Sequence, residues 1–244
     1  MKTKRHTFSI GDLSPGRGLG LAPVVTLLCL LAWDFSELDM GIMQMFADSS
    51  GFKLRDNWWL ETILHTRAKQ LAIVIYVVLV VMVWWPTKVL RQLSHWQRLE
   101  IVVGITLSLI TISTLKSFSS TSCPWELLAF GGKASHVSHW LLSTADGGSG
   151  RCFPGGHVSS ALAFLALALP WLASDSAAHR QTGLRILLIV LGAGFLLGLT
   201  QTLRGAHFPS HTFWTGFICW SVVLANHFVW GWLAHRRPAS SAHP

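Results

Sequence analysis

The sequence predicts an all-α membrane protein with six transmembrane helices. Of its 244 residues, 51% are hydrophobic and only 12% are charged, whereas soluble domains usually carry about 25% charged residues. The apolar residues occur in runs rather than in alternation, and a helix satisfies its own backbone hydrogen bonds in lipid. A soluble domain of this length could not bury so much apolar surface, so the composition excludes a soluble fold.

Six apolar runs approach the roughly 20 residues that a helix needs to cross the hydrocarbon core. The second and third runs are short, and we expect them to include flanking residues from 66–70 and 96–100. Tryptophan residues flank several runs, where their rings can anchor a helix in the membrane interface. No small-residue cleavage site follows the first run, so we expect it to remain as a helix. In chain order the runs cover 19–35, 71–85, 101–115, 158–173, 186–200 and 212–233.

The charged residues indicate the orientation of these helices. If the N-terminus is cytoplasmic, the inner segments contain most of the Lys and Arg residues and the outer segments contain most of the acidic residues. An excess of Lys and Arg marks the cytoplasmic side, so both termini are expected in the cytoplasm. The domain plan is then a cytoplasmic segment 1–18, a membrane domain 19–235 and a cytoplasmic tail 236–244. This topology accounts for the net charge of +8, and because no basic run is long enough to bind a duplex, we expect no nucleic-acid partner.

Ionisable residues at the ends of the apolar runs predict one active site at the outer membrane face. The outer segments are 36–70, 116–157 and 201–211, and the reactive residues of the last two emerge on the same side. Membrane chains rarely carry such groups without a use. A lone histidine in the first outer segment, His65, is more typical of a surface or packing residue. The candidate site residues are Lys116, Arg151, His157, Arg204, His207 and His211.

The spacing of these residues points to the chemistry of anion binding. The turn Pro154-Gly155-Gly156-His157 lets the backbone approach a ligand, because glycine has no Cβ, and free N–H groups at a helix start bind anions. Arg204, His207 and His211 recur at spacings of three and four, which share one helix face, although Pro209 would break a regular helix. Cations that hold an anion, one histidine that attacks and one that donates a proton suit phosphoryl transfer without a metal.

These motifs resemble those of the type 2 phosphatidic acid phosphatase superfamily, whose members include membrane lipid phosphatases. The family pattern is Lys-x6-Arg-Pro, then Pro-Ser-Gly-His, then Ser-Arg-x5-His-x3-Asp. The order of the motifs, the six-helix layout and the outer placement all fit this chain. The corresponding segments are Lys116-x6-Cys123-Pro124, Pro154-Gly155-Gly156-His157 and Thr200-Gln201-x5-His207-x3-His211.

The resemblance implies a role for each matching residue. His207 would be the nucleophile that forms a phosphohistidine, and His157 would be the general acid for the leaving group. Lys116 would bind the phosphate with help from the backbones of Gly155 and Gly156. His211 stands where an Asp normally orients the nucleophile. The resemblance also implies a hydrolase of the bacterial inner membrane that uses no metal or other cofactor, with lipid phosphates and membrane lipids as its partners.

Besides Thr200 and His211, which stand where the family has Ser and Asp, this chain departs from the family pattern at three motif positions. Cys123 and Gln201 stand where the family has two phosphate-binding arginines, and Gly155 stands where it has a serine. An Arg fork binds phosphate through two hydrogen bonds, so its loss is costly. We expect Arg151 and Arg204, which lie near the gaps, to restore the positive charge. Without that charge the protein would be a non-catalytic, lipid-binding relative.

The four cysteines divide into two pairs. Cys29 and Cys219 lie inside apolar runs and are expected to pack as small apolar residues. Cys123 and Cys152 share the second outer segment, which this topology places in an oxidising compartment. We therefore predict a disulfide between them that ties the Lys116 segment to the histidine turn.

The sequence leaves the substrate and two other functional classes open. Undecaprenyl diphosphate, lipid A phosphate, phosphatidylglycerophosphate and phosphatidic acid are all candidates, and a lipid-to-lipid phosphotransferase would use the same site. A metal-dependent hydrolase could bind zinc through His157, His207 and His211, although neither histidine motif contains an acidic residue. A non-enzymatic lipid-binding or transport protein is the third class, and the nearly uncharged helix interiors offer it no polar pathway.

Overall fold

The computed structural model describes residues 17–141 and 144–235, and within these ranges it describes the side chains of 23–234. The predicted cytoplasmic tail 236–244 and nearly all of the predicted segment 1–18 lie outside the described residues. The described chain is mostly helical, and its only sheet is a two-stranded antiparallel hairpin of β1, Ala47–Asp48, and β2, Gly51–Phe52.

Eight α-helices make up most of the described chain. A π-helix, Trp59–Arg67, leads without a break into α3, and a 3-10 turn, Ala163–Leu167, joins α5 to α6. Three further 3-10 turns cover Lys88–Gln92, Pro124–Glu126 and Leu128–Phe130. The helices are α1 (Arg17–Asp34), α2 (Leu38–Gln44), α3 (Ala68–Trp84), α4 (His95–Phe118), α5 (Ser159–Leu162), α6 (Leu169–Leu172), α7 (Ala177–Leu203) and α8 (Pro209–His235).

Four of the six predicted transmembrane helices are long and apolar enough to cross a membrane. The second and third include the flanking residues expected from the sequence, and the remaining two predicted spans are shorter apolar helices, Pro23–Asp34 and Ser159–Leu172. The protein therefore has the helices of a membrane protein, with four candidate spans among the described residues. These four are Trp59–Gln92, His95–Phe118, Ala177–Leu203 and Pro209–Ala234.

The short segment Ser159–Leu172 forms the centre of the bundle. Its α5, 3-10 and α6 pieces pack against α4, α7 and α8, and most of its residues are buried. An interrupted helix is tolerated at membrane depth where protein rather than lipid surrounds it. The packing is close because small residues line it: a Cβ on Gly194 would collide with Leu162, and one on Gly104 would lie 3.1 Å from Ala166 Cβ. Glycines allow membrane helices to approach in this way.

The outward faces of α3 and α7 consist of large exposed apolar side chains. Leu71, Val74 and Val78 are examples on α3, and Leu188 and Phe195 are examples on α7. Exposed apolar surface of this extent marks a contact with lipid or another protein. The faces therefore fit helices that lie against the hydrocarbon core.

The helix ends bring the candidate site residues to one end of the bundle. Lys116 lies in the last turn of α4, and His157 lies just before α5. Between α7 and α8 the chain turns at 204–208, so the expected common face is split. Pro209 is the first residue of α8, a position that proline tolerates because its missing N–H needs no helical partner.

Candidate active site

His207 and His211 are in direct contact at the start of α8. Both side chains are buried, and Nδ1 of His207 lies 3.4 Å from Nδ1 of His211. His207 stands in the turn after α7, where Gly205 adopts a φ of +75° and has no room for a Cβ because the Phe52 ring lies against it. With Nδ1 occupied by its neighbour, Nε2 is the atom of the His207 ring that remains for a substrate.

A disulfide lies against the same imidazole. Cys123 and Cys152 are bonded across a separation of 29 residues, and the Sγ atom of Cys152 lies 3.3 Å from Nδ1 of His207. Backbone hydrogen bonds from Arg151 N–H to Ser119 and from Cys152 N–H to Thr121 run beside it. The disulfide therefore joins the segment after Lys116 to the segment before the Gly-Gly-His turn.

A buried carboxylate holds the rest of this outer loop. Asp146 accepts hydrogen bonds from Ser122 N–H at 2.6 Å, from the Ser122 hydroxyl at 2.7 Å and from Gly148 N–H at 3.0 Å. Burial favours the neutral acid, but these hydrogen bonds outweigh it and hold the pKa of Asp146 below its ordinary value. The ionised carboxylate thus fixes the loop that carries Cys123.

The imidazole of His157 is stacked on that of His65. Their ring centroids are 3.3 Å apart with an interplanar angle of 13°, and Nε2 of His157 and Nδ1 of His65 are buried without a hydrogen-bond partner among the described residues. The π-helix carries His65 to this position, and π-turns are frequent at functional sites. The structure therefore adds to the site a histidine that the sequence had suggested was a surface or packing residue.

Burial and the surrounding cations favour the neutral forms of His157 and His207. Burial lowers the pKa of His157 to about 3, with further lowering from His65, Lys69 and Lys116. Burial also lowers the pKa of His207 to about 3, and Lys116 and His157 add to it. A neutral imidazole has the free lone pair that a nucleophile requires. Lys69, one helical turn after His65, is a further cation near the site that the sequence analysis missed.

Lys116 reaches over the Gly-Gly-His turn. A Cβ on Gly156 would lie 3.2 Å from Lys116 Cδ and 3.4 Å from its ammonium nitrogen, so a larger residue would push the lysine away. The N–H of Gly155 donates to the carbonyl of His211 at 3.3 Å, and the Thr215 hydroxyl donates to the same carbonyl at 2.7 Å. Of the two glycine N–H groups, only that of Gly156 has no acceptor within the described part of the chain.

The two arginines that were expected to replace the missing ones have different surroundings. Arg204 is buried, its Nε donates to the carbonyl of Arg55 at 2.9 Å, and its guanidinium lies 3.7 Å from Oε2 of Glu61. Because Glu61 and His65 share the π-helix, Arg204 lies on the His65 side of the site. Arg151 is exposed, has a φ of +58°, and its side chain makes no polar contact with any described residue.

Gln201 occupies the second position from which a family arginine is missing. Its side chain is only 2% exposed, its carbonyl accepts the His207 N–H at 3.3 Å, and its Nε2 is buried without a partner among the described residues. The residue at this position is therefore neutral, and its backbone contacts that of His207.

The residues do not fit the suggested zinc site. Among the described residues, only Cys123, Cys152 and His207 bring three possible ligand atoms within 4.8 Å of one another, and both of these sulfur atoms are consumed by the disulfide. His157, His207 and His211 do not converge in this way. Zinc requires about four ligands at 2.0–2.3 Å, which this arrangement does not supply.

An apolar cavity of about 700 Å³ lies between the helices, and none of the candidate site residues is among its lining residues. One end is marked by Thr212, the neighbour of His211, and the other by Leu172 and Arg180 at the far end of the bundle. Between them the lining is almost entirely apolar, with Leu184, Leu187, Leu191, Phe195, Phe217 and Trp220 among its residues.

Comparison with known families gives one match. A family model described as the PAP2 superfamily matches residues 97–236, which is more than half of the chain. No curated protein and no solved structure matches the chain. The matched range contains Lys116, His157, His207 and His211, whereas His65 precedes it.

Proposed function

Because the chain belongs to the PAP2 superfamily, a family of phosphatase-type proteins, we propose that it is an integral membrane phosphatase. It removes phosphate from a phosphate monoester or a diphosphate of a membrane lipid through a phosphohistidine on His207. One observation carries the proposal: the buried His207 ring has Nδ1 against His211 at 3.4 Å. Nε2 of His207 therefore remains available to attack phosphorus, with His157 and Lys116 nearby.

In the first step, the Lys116 ammonium and the free Gly156 N–H hold the phosphoryl oxygens. Nε2 of His207 attacks phosphorus as the bond to the leaving oxygen breaks. His157 donates a proton to that oxygen, which leaves as the lipid alcohol or the shorter lipid phosphate. Burial and nearby cations lower the pKa of His157. A phosphate anion that binds there offsets those cations, so His157 gains its proton together with the substrate.

In the second step, the roles reverse at the same atoms. His157, now neutral, accepts a proton from water as that water attacks phosphorus. The bond between phosphorus and Nε2 of His207 breaks, and inorganic phosphate leaves. If the alcohol of a second lipid takes the place of water, the same site acts as a lipid-to-lipid phosphotransferase.

The apolar cavity supports a lipid as the substrate. Its lining includes Thr212, the residue after His211, and it continues between α1, α6, α7 and α8 toward the opposite end of the bundle. The apolar lining gives a hydrocarbon chain surroundings like those of the bilayer, so the chain can enter the cavity without exposure to water. Undecaprenyl diphosphate, lipid A phosphate, phosphatidylglycerophosphate and phosphatidic acid all combine a phosphate with such chains.

We place the protein in a bacterial inner membrane with the site at the periplasmic face and both termini in the cytoplasm. The distribution of Lys and Arg supports this orientation. A reporter fused after Ala145 should behave as periplasmic and one fused after Ser176 as cytoplasmic. The reverse pattern would place the site on the cytoplasmic side.

Release of inorganic phosphate from the four lipids by the purified protein tests the function. We expect release from at least one lipid, its loss in His207→Gln and its retention in His95→Gln, a matched change at an exposed histidine on the opposite end of α4. The wild type should also form an acid-labile phosphoprotein that His207→Gln lacks. Activity that EDTA removes and zinc restores would favour a metal-dependent hydrolase instead, and an inactive wild type would favour a lipid-binding relative.

A further inference from the structure

Attack by His207 on phosphorus places a positive charge on its ring, and a proton must leave the ring to remove that charge. When Nε2 bonds to phosphorus, the ring becomes cationic unless the Nδ1 hydrogen leaves, and this occurs in a buried site beside the Lys116 ammonium. The basic acceptor in contact with Nδ1 of His207 is Nδ1 of His211, 3.4 Å away, because the Sγ atom of Cys152 at 3.3 Å belongs to a disulfide and does not take up a proton. A neutral imidazole accepts at one nitrogen only if the other carries the hydrogen. His211 must therefore hold its own hydrogen on Nε2, which needs an acceptor in turn.

A small acidic cavity lies on the other side of His211. Its volume is about 80 Å³, which leaves room for a few water molecules. The titratable groups that line it come from the end of α1, from α2 and the residue before it, from the outer loop and from α8, and no Lys or Arg is among them. They are Asp34, Glu37, Asp39, His136, His139 and His211.

Asp34 is the carboxylate in this cavity with an unused oxygen. Its side chain is only 4% exposed, and its Oδ2 accepts the indole N–H groups of Trp140 at 3.1 Å and Trp214 at 2.9 Å. Its Oδ1 is buried and has no partner among the described residues. By contrast, both carboxylate oxygens of Asp39 accept hydrogen bonds, from Trp33 Nε1 and from the N–H and hydroxyl of Ser210. The side chain of Glu37 is exposed.

His139 stands between Asp34 and His211. Its Nε2 lies 3.3 Å from Oδ2 of Asp34, its ring stacks on Phe153 at 4.1 Å, and its centroid is 6.1 Å from that of His211 in an edge-to-face arrangement. Burial keeps the pKa of His139 below its ordinary value even though Asp34 and Asp39 raise it. Asp34 and Asp39 thus offset part of the cost of placing a proton on His139.

We propose that His211, His139 and Asp34 carry the charge that forms on His207 into the acidic cavity. As the bond to phosphorus forms, the Nδ1 proton of His207 moves to Nδ1 of His211, and the Nε2 proton of His211 passes through the cavity to the His139–Asp34 pair. One proton leaves His207 and one reaches the pair, and the path reverses when the phosphohistidine is hydrolysed. Asp34 and His139 are positioning residues, since they act through His211. This inference rests on the proposed function.

A double-mutant cycle of Asp34→Asn and His211→Asp tests the relay. A carboxylate in direct contact with a catalytic histidine contributes up to about 10⁴-fold to kcat. Asp34 acts through His139 and His211, so we expect a smaller loss in Asp34→Asn, about 10-fold in the rate of phosphoenzyme formation. A carboxylate at 211 would take the charge directly. In the His211→Asp background the Asp34→Asn change should therefore cost less than about twofold. Glu37→Gln, a matched change at an exposed carboxylate of the same cavity, should have no effect.

The alternative role for Asp34 is to support Trp140 and Trp214, and it gives a different result. That role predicts the same loss in both backgrounds, which would overturn the relay. If His211→Asp does not fold, His139→Phe keeps the stack on Phe153 and provides a second cycle. The losses from His139→Phe and Asp34→Asn should then be non-additive, and additive losses would overturn the relay. If the wild type is active and either cycle gives the contradicting result, the relay is wrong and the proposed function stands. If the wild type is inactive, the proposed function is wrong as well.

Discussion

The rings of His65 and His157 lie face to face, with centroids 3.3 Å apart and planes 13° from parallel. At this distance a proton on one ring strongly disfavours a proton on the other. Since His157 is the proposed proton donor, His65 influences the pH range in which His157 is protonated.

His65→Asn is therefore expected to shift the pH dependence. Burial is the first cause that lowers the pKa of His157 to about 3, and His65 is the next. The change opens space and removes the neighbouring ring, so the pKa of His157 rises and a larger fraction carries a proton at a given pH. The alkaline limb of kcat/KM, which reports the free enzyme, should move to higher pH. An unchanged limb, in a variant that folds as well as His95→Asn, would leave His65 with a packing role only.

His157→Ala should slow turnover in a way that depends on the leaving group. A positioned proton donor contributes about 10²–10⁴-fold, and we expect that loss with a lipid alcohol as leaving group. An aryl phosphate has a leaving oxygen that needs no proton, so the loss in phosphoenzyme formation should shrink toward a few-fold with that substrate. Equal losses with both substrates, measured by rapid quench, would argue against His157 as the acid.

Substitutions of the two arginines should have unequal effects. Arg204 is buried against Arg55 and Glu61, so Arg204→Ala removes a charge near the site and leaves two groups without their partner. Arg204→Lys should also be damaging, because an ammonium cannot reproduce the planar fork. Arg151→Ala measures whether the exposed guanidinium reaches a bound phosphate. If both Ala variants keep the wild-type kcat/KM, neither arginine replaces the missing ones.

Loss of the disulfide should affect both stability and activity. In the chain-entropy model, a loop of this length contributes about 3–4 kcal/mol to the free energy of unfolding. Cys123→Ser with Cys152→Ser should lower the melting temperature, and it should also lower kcat because Cys152 lies against His207. Cys29→Ser, a change at an exposed cysteine outside the disulfide, is the control. Mass spectrometry of alkylated, non-reduced peptides from native membranes should find no free thiol at 123 or 152, and finding both alkylated would contradict the pairing.

The sequence predicted the parts of the structure that depend on local pattern. The approximate positions of the four long apolar helices and the break at Pro209 follow from run length and chain order, whereas α7 begins at Ala177, nine residues before the predicted run. The interruption between α5 and α6 could not be predicted, because a buried broken helix has the same apolar composition as a continuous one.

The residues that the sequence analysis missed reach the site through long-range packing. His65 is brought to His157 by a π-helix, whose wider turn does not follow the 3.6-residue periodicity used to assign faces. Asp34 and His139 meet across more than 100 residues, and no motif joins them. A histidine, a glutamate and a lysine at spacings of four, Glu61, His65 and Lys69, were the one local signal that could have drawn attention to this face.

Because a π-helix carries His65, the position of this side chain in the site depends on the number of residues between Trp59 and His65. One residue fewer between Trp59 and His65 would let the segment relax into α-helical winding, and a one-residue change rotates a helix position by about 100°. The imidazole would then leave the pocket with its own codon unaltered. A single-residue insertion or deletion in this stretch could thus have gained or lost a proton-bearing group in evolution, and comparisons that align only the motif positions would not detect the change.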